Sequence, residues 1–180
     1  MRGARCQGKG ASSPDTFHPV KVLGLDPGTA ATGYGVVCFE DGNLRLEGFG
    51  VWRPPAALTL AEKLDFLFAG AARLIEECRP GAVSIETVFT ARNASSAIKL
   101  SHARGVLLAA AARFGISVFE YQPRLVKKAL VGYGNAEKPQ VRSMVLALLS
   151  RQRERVPLDA ADALAVAICH IHSGTGGVKR

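Results

Sequence analysis

Val20-Lys21-Val22-Leu23-Gly24-Leu25-Asp26-Pro27-Gly28 is the stretch on which the fold turns. An apolar run ends in a carboxylate, and Pro27-Gly28 turns the chain at once. A short apolar run bounded by turn chemistry predicts a buried strand over Val20 to Leu25. Asp26 then stands where that strand reaches the surface. A carboxylate there suits metal ligation, but an Asp before Pro also serves as a simple turn former.

Working outward, two further strands are expected, Tyr34 to Phe39 and Leu44 to Val51, joined through the hairpin chemistry of Asp41-Gly42-Asn43. Gly28, Gly33 and Gly35 are read as loosening the connection after the first strand. Pro54-Pro55 stops the meander, and Thr59 with Glu62 three residues on forms a capping-box signature for a helix carrying Leu60, Leu64, Leu67, Leu74 and Ile75. A fourth strand, Ala82 to Ile85, delivers Glu86. The rest of the chain reads as a long helix from Ala94 to Phe114, a fifth strand from Ile116 to Tyr121, and a short helix from Pro123 through Leu130. Two more helices follow, Lys138 to Leu149 and Leu158 or Asp159 to His170. Hairpin strands followed by strands with helical crossovers define an α/β chain with a five-stranded mixed sheet flanked by helices.

The 180 residues suit one domain with tails. Residues 1–19 carry Arg2, Arg5 and Lys9 among Gly, Ser and Pro and are expected to form a disordered basic tail. Residues 20–172 form the domain, and the Gly-rich residues 173–180 a flexible end. With no apolar central region near the start, no span-length apolar stretch, and Cys6, Cys38, Cys78 and Cys169 in no metal-like or disulfide-like spacing, a reducing cytoplasm is the expected location. The charge is more telling: 23 Lys and Arg against 15 Asp and Glu give +8. The excess concentrates between Thr87 and Arg155, with twelve basic residues and three acids. Such a field attracts polyanions, nucleic acid foremost, through release of counterions; a solvated basic surface is the plain alternative.

Against that charge stand four acids at element ends: Asp26, Glu86, Asp159 and Asp162. Three residues apart on a helix, Asp159 and Asp162 are separated by about 300° and roughly 4.5 Å of rise, so both project from one face. Singly each has an ordinary reading: a turn former, a solvated strand end, an N-cap, a first-turn acid. Together they point to a shared cation, because crowding carboxylates is costly without one. Mg²⁺ and Mn²⁺ prefer oxygen ligands, and two such ions about 4 Å apart activate water and stabilise the leaving oxygen in phosphodiester cleavage. The order of residues points to a two-metal nuclease of ribonuclease-H-like fold.

Gly24 to Gly28, Thr32-Gly33-Tyr34-Gly35, Ile85 to Phe89, Asn93 through Gly105, Gly134 to Lys138, and Asp159 through Ala165 together resemble the RuvC family of bacterial Holliday junction resolvases, from about Val20 to His172. The resemblance implies a homodimer that places two active sites on a four-way DNA junction and nicks strands of like polarity, leaving 5′-phosphate and 3′-hydroxyl ends. It implies metal ligation by Asp26, Glu86, Asp159 and Asp162, stacking by Phe89 near the junction centre, and DNA contact by Lys127 and Lys138. The helix from Ala94 to Phe114 resembles the family's two-fold interface, although its Ala-rich stripe would serve a core as well. The branch-migration proteins RuvA and RuvB are the further candidate partners. His170 and His172 follow the last acids but lie outside the four-acid pattern. Ala30-Ala31 departs from the bulkier or basic residue of many relatives. Rival readings are an actin-like or sugar-kinase-like ATPase, for which no GxxxxGK[ST] loop is present, a ribonuclease-H-like enzyme acting on structured RNA, and a junction-binding protein without catalysis.

Overall fold

The decisive stretch runs as a strand over Val20–Asp26 (β1) in the computed structural model, which describes residues 20–87 and 94–175. β1 lies in the middle of a five-stranded sheet of order β3-β2-β1-β4-β5. It pairs antiparallel with Thr32–Glu40 (β2), which pairs antiparallel with Asn43–Trp52 (β3). On its other side it pairs parallel with Ala82–Glu86 (β4), and β4 pairs parallel with Val118–Tyr121 (β5). The mixed sheet is thus the expected one. Five helices accompany it among the described residues: Leu60–Cys78 (α1), Ala94–Arg113 (α2), Pro123–Val131 (α3), Lys138–Leu148 (α4) and Leu158–Thr175 (α5).

Alternation along the strands sends side chains to two different cores. Leu23, Leu25, Val36, Val83 and Ile85 pack with Ala71 and Ile75 of α1 and with Leu107, Ala110 and Ala111 of α2. Val22, Val37 and Tyr121 face the opposite way, toward α5, with Val126 and Leu130 of α3 and Val141 and Val145 of α4 in the same cluster. Residues 163–169 of α5 are all buried. A helix apolar on every side belongs between layers, and α5 lies between the sheet and the α3–α4 pair.

Four local features depart from, or sharpen, the sequence reading. Gly33 and Gly35 are not connection residues; they belong to β2, and the turn is instead closed by Thr32, whose Oγ1 donates to the Gly28 carbonyl at 2.7 Å. The hairpin needs two loop residues, Asp41 and Gly42, at φ 50° and 79° with Glu40 paired to Asn43, the positive-φ arrangement that matches strand twist. β5 starts at Val118, because Ile116 closes the end of α2 by donating its N–H to Ala111. α5 continues past His170 to Thr175, five residues beyond the expected end. The capping box at α1 forms as read: Glu62 Oε2 accepts the Thr59 N–H at 2.7 Å while Thr59 Oγ1 accepts the Glu62 N–H at 3.4 Å.

The glycines of β1 and β2 determine how near α5 sits. A Cβ on Gly24 would overlap the Ala163 carbonyl oxygen, and one on Gly33 would overlap that of Asp159. These glycines let the helix backbone rest directly on the strands, which fixes its first turns beside the end of β1.

Candidate active site

Asp26 continues the α5-facing series Val22, Gly24, Asp26, and Glu86 continues Ala82, Ser84, Glu86 on the neighbouring strand. The parallel register pairs Leu25 with Ile85, so the two acids end adjacent strands at the same level, on strands about 4.8 Å apart. α5 supplies the other pair. Its Ala161 N–H bonds the Pro157 carbonyl at 2.9 Å, so Asp159 is a first-turn residue rather than the N-cap. Gly33, the cross-strand partner of Asp26, lies under Asp159.

Electrostatics record how closely the acids approach. The Asp26 carboxyl is pushed from 3.8 up to about 7, first by burial, then by the charges of Asp162 and Glu86, with Lys138 opposing and Asp159 adding a smaller push. Burial also raises Glu86, helped by Asp162 and opposed by Lys138 and Lys127. Lys138 Nζ donates to Asp162 Oδ2 at 2.8 Å, and that bond raises the lysine above its ordinary value. Glu86, Asp162, Lys127 and Lys138 line one cavity of about 180 Å³ with Pro123, Val126, Val141 and Ala165.

Asp26, Glu86 and Asp162 therefore come together with Lys127 and Lys138. Asp159 is turned aside to Arg53, whose Nη2 donates to its Oδ2 at 3.3 Å. Among the described residues no three His, Cys, Asp or Glu side chains are drawn tightly enough to grip one ion; Glu86 and Asp162 share a cavity, the charge of each acts on Asp26, and Asp159 and Asp162 are held by protein cations. Phe89 lies outside the described residues. His170 bonds Tyr121 Oη through Nδ1 at 2.7 Å and packs on Phe119, and His172 Nδ1 lies 3.4 Å from the Ala129 carbonyl oxygen. Sequence reasoning passed over Arg53, a basic residue between the last hairpin strand and Pro54-Pro55 whose partner stands 106 residues away.

The chemistry of the donor set is that of a hard-cation site. Its oxygens are carboxylate oxygens, burial and then the neighbouring carboxylates raise Asp26 and Glu86, and a divalent cation would offset both.

A mixed five-stranded sheet in this order, acids at the ends of its two central parallel-paired strands and on the helix laid across them, defines a protein of ribonuclease-H-like fold. The family model described as crossover junction endodeoxyribonuclease RuvC matches residues 22–170. The chain belongs to the RuvC family. A relative named crossover junction endodeoxyribonuclease RuvC in Heliobacterium modesticaldum is 47% identical over 157 residues, covering 87% of this chain and 97% of its own. The solved structure of Thermus thermophilus RuvC superposes with a TM-score of 0.82 at 33% identity, covering 87% of this chain and 96% of that one. The T. thermophilus RuvC structure in complex with Holliday junction substrate superposes at 0.80 with 31% identity, covering 88% of this chain and 97% of that one.

Proposed function

We infer that the protein is a divalent-metal-dependent endonuclease that resolves four-way DNA junctions by paired symmetric nicks. Membership of the RuvC family supports the activity, and a relative solved with Holliday junction substrate supports the DNA structure on which it acts. The observation that carries the reading is the meeting of Asp26, Glu86 and Asp162 beside Lys127 and Lys138. It joins a negative pocket for cations to a positive rim for phosphates.

In this reading Asp26, Glu86, Asp159 and Asp162 would hold Mg²⁺ or Mn²⁺, two ions per site, with Asp159 exchanging its bond to Arg53 for an ion. The ions, when bound, supply Lewis-acid polarisation of the scissile phosphate and activation of water. Lys138 and Lys127 contact the phosphate backbone, and Phe89 stacks near the junction centre. Symmetric nicking calls for a homodimer, with the outer face of α2 as its contact. The nuclease domain runs through the end of α5, over residues 20–175 rather than 20–172, with the basic segment 1–19 before it and residues 176–180 after it. RuvA and RuvB are the candidate partners that would bring it to junctions. Chromosomal DNA as substrate implies the cytoplasm, and among the described residues no helix is long and apolar enough to cross a membrane.

The test is cleavage of a mobile synthetic four-way junction, beside linear duplex DNA and structured RNA, with Mg²⁺, Mn²⁺ or a chelator, mapping every nick. The expected result is metal-dependent cutting of the junction alone, at symmetric positions in two strands of like polarity. Preferential cutting of RNA, or junction binding without metal-dependent cutting, would overturn the reading.

A further inference from the structure

Lys138 is the first residue of α4, and its side chain is 70% exposed. Little packing fixes its stem, so where its ammonium reaches depends on where the backbone at the start of α4 is held. That backbone is held by the Glu137 carbonyl, which accepts the Gln140 and Val141 N–H at 3.1 and 3.2 Å, and by one side chain, that of Gln140. Its Oε1 accepts the Glu137 N–H at 2.9 Å, closing the turn around Lys138 and Pro139 from the other side. The same Oε1 accepts the Tyr133 hydroxyl at 3.1 Å.

Tyr133 belongs to the loop that leaves α3, the helix carrying Lys127. That loop is anchored at its origin: Gly132, at φ 86°, caps α3 by donating its N–H to the Lys128 carbonyl at 2.9 Å, and Gly134 sits against the Arg124 backbone. Gln140 therefore joins the end of α3 to the start of α4. Lys127 and Lys138 line the same cavity from those two helices, with Glu86 and Asp162 beside them.

We propose that Gln140 is a positioning residue which, through its shared bonds to Tyr133 and Glu137, sets the spacing of Lys127 and Lys138 across the acidic cavity. The proposal rests on the reading of Lys138 as a phosphate-contacting group. Gln140 itself does not line the cavity that Glu86 and Asp162 share. Its amide oxygen converts two separate helix ends into one frame, so that the Lys138 ammonium stays at Asp162 and the scissile phosphate meets both lysines at a fixed distance. A misplacement on the order of 1 Å at such a group is enough to slow a positioned reaction about a hundred-fold.

The test compares Gln140→Ala, Gln140→Glu, Tyr133→Phe and Lys138→Ala in the full chain. Three quantities are measured: single-turnover cleavage of a saturated four-way junction with Mg²⁺, junction Kd in chelator, and the NMR signal of the Lys138 ammonium, which reports its bond to Asp162. Gln140→Ala is expected to slow cleavage about ten-fold or more with Kd within about two-fold, and to broaden the ammonium signal. Gln140→Glu, whose carboxylate still accepts both bonds, restores the rate to within about three-fold, and Tyr133→Phe gives an intermediate loss of about three-fold. A wild-type rate and ammonium signal in Gln140→Ala, or a Gln140→Glu variant as slow as Gln140→Ala, would overturn the proposal. Lys138→Ala separates the two levels: normal cleavage there sinks the role given to Lys138, whereas slow cleavage there with normal cleavage in Gln140→Ala sinks only the positioning role.

Discussion

At the scale of single residues the site is built against stability. Asp26 is half-buried beside two other carboxylates, and its folded-state carboxyl titrates at about 7 instead of 3.8. A folded pKa above the unfolded one means the folded chain holds its proton longer, so metal-free stability present below about pH 4 is lost as pH rises through about 7. Thermal unfolding in chelator is expected to show a midpoint that falls from pH 5 to pH 8, and added Mg²⁺ or Mn²⁺ should restore it most at pH 8. Asp26→Asn removes the charge and keeps the shape. It should flatten the pH dependence, raise the metal-free midpoint at pH 8 by a few degrees, on the order of 2 kcal/mol, and abolish cleavage while leaving junction affinity nearly intact. An unchanged midpoint and an unchanged metal response would remove Asp26 from the site. Lys127 acts on the other charge: Lys127→Ala should weaken junction binding evenly across sequences and reduce the salt slope by about one, as read by a salt titration of Kd. The acids were legible in the sequence because each closes an apolar run or begins a helix, and such places are few. Arg53 and Gln140 were not, because what distinguishes them is a partner reached through the fold: Asp159 for one, the Tyr133 hydroxyl for the other.

At the scale of elements, α5 is what converts four scattered acids into one neighbourhood. Its depth on the sheet is set by residues without side chains, and the sequence does not announce this: a glycine inside a strand that admits a helix backbone looks the same, in one dimension, as a glycine that loosens a turn. Gly33 is the sharpest case, since a Cβ there would overlap the Asp159 carbonyl oxygen and backbone yields less readily than a side chain. Gly33→Ala should therefore lift the first turn of α5, lowering stability by about 1–3 kcal/mol in denaturant titration and carrying Asp159 away from Asp26. The expected signature is a loss of metal-induced stabilisation larger than the loss of metal-free stability. The strands and the capping box at Thr59 were legible for the opposite reason: alternation, Asp-Gly turn chemistry and the Thr–Glu spacing act over a few neighbouring residues. Element ends were less so, as at β5, where Ile116 is taken by the end of α2.

At the scale of the molecule, both strand acids stand at the carboxyl ends of parallel-paired β1 and β4, the edge at which open sheets of this kind place their ligands. The positive excess meets that edge through α3 and α4. Whether one such edge suffices depends on α2, whose alanines divide between two surfaces. Ala103, Leu107, Ala110 and Ala111 are fully buried and serve the monomer's own core; Ile98, Gly105 and Ala109 lie on the outer side, where Ile98 is 56% exposed and, among the described residues, a Cβ on Gly105 would meet no atom within 4 Å. The part of the alanine stripe expected to hold a partner is thus spent within the chain, and the outer residues are what remains for the proposed dimer. Ala109→Glu tests them without touching the fold, since a surface Ala→Glu on a helix changes stability by no more than about 0.5 kcal/mol, whereas a lone charge buried between two helices is costly. Sedimentation is expected to show the wild type as a dimer and Ala109→Glu as a monomer with an unchanged unfolding midpoint. On a plasmid carrying an extruded cruciform, paired nicking by the wild type gives linear product; the variant should give nicked circles, with the linear fraction down about ten-fold. A dimer that survives Ala109→Glu with paired nicking intact would move the two-fold contact off this face of α2.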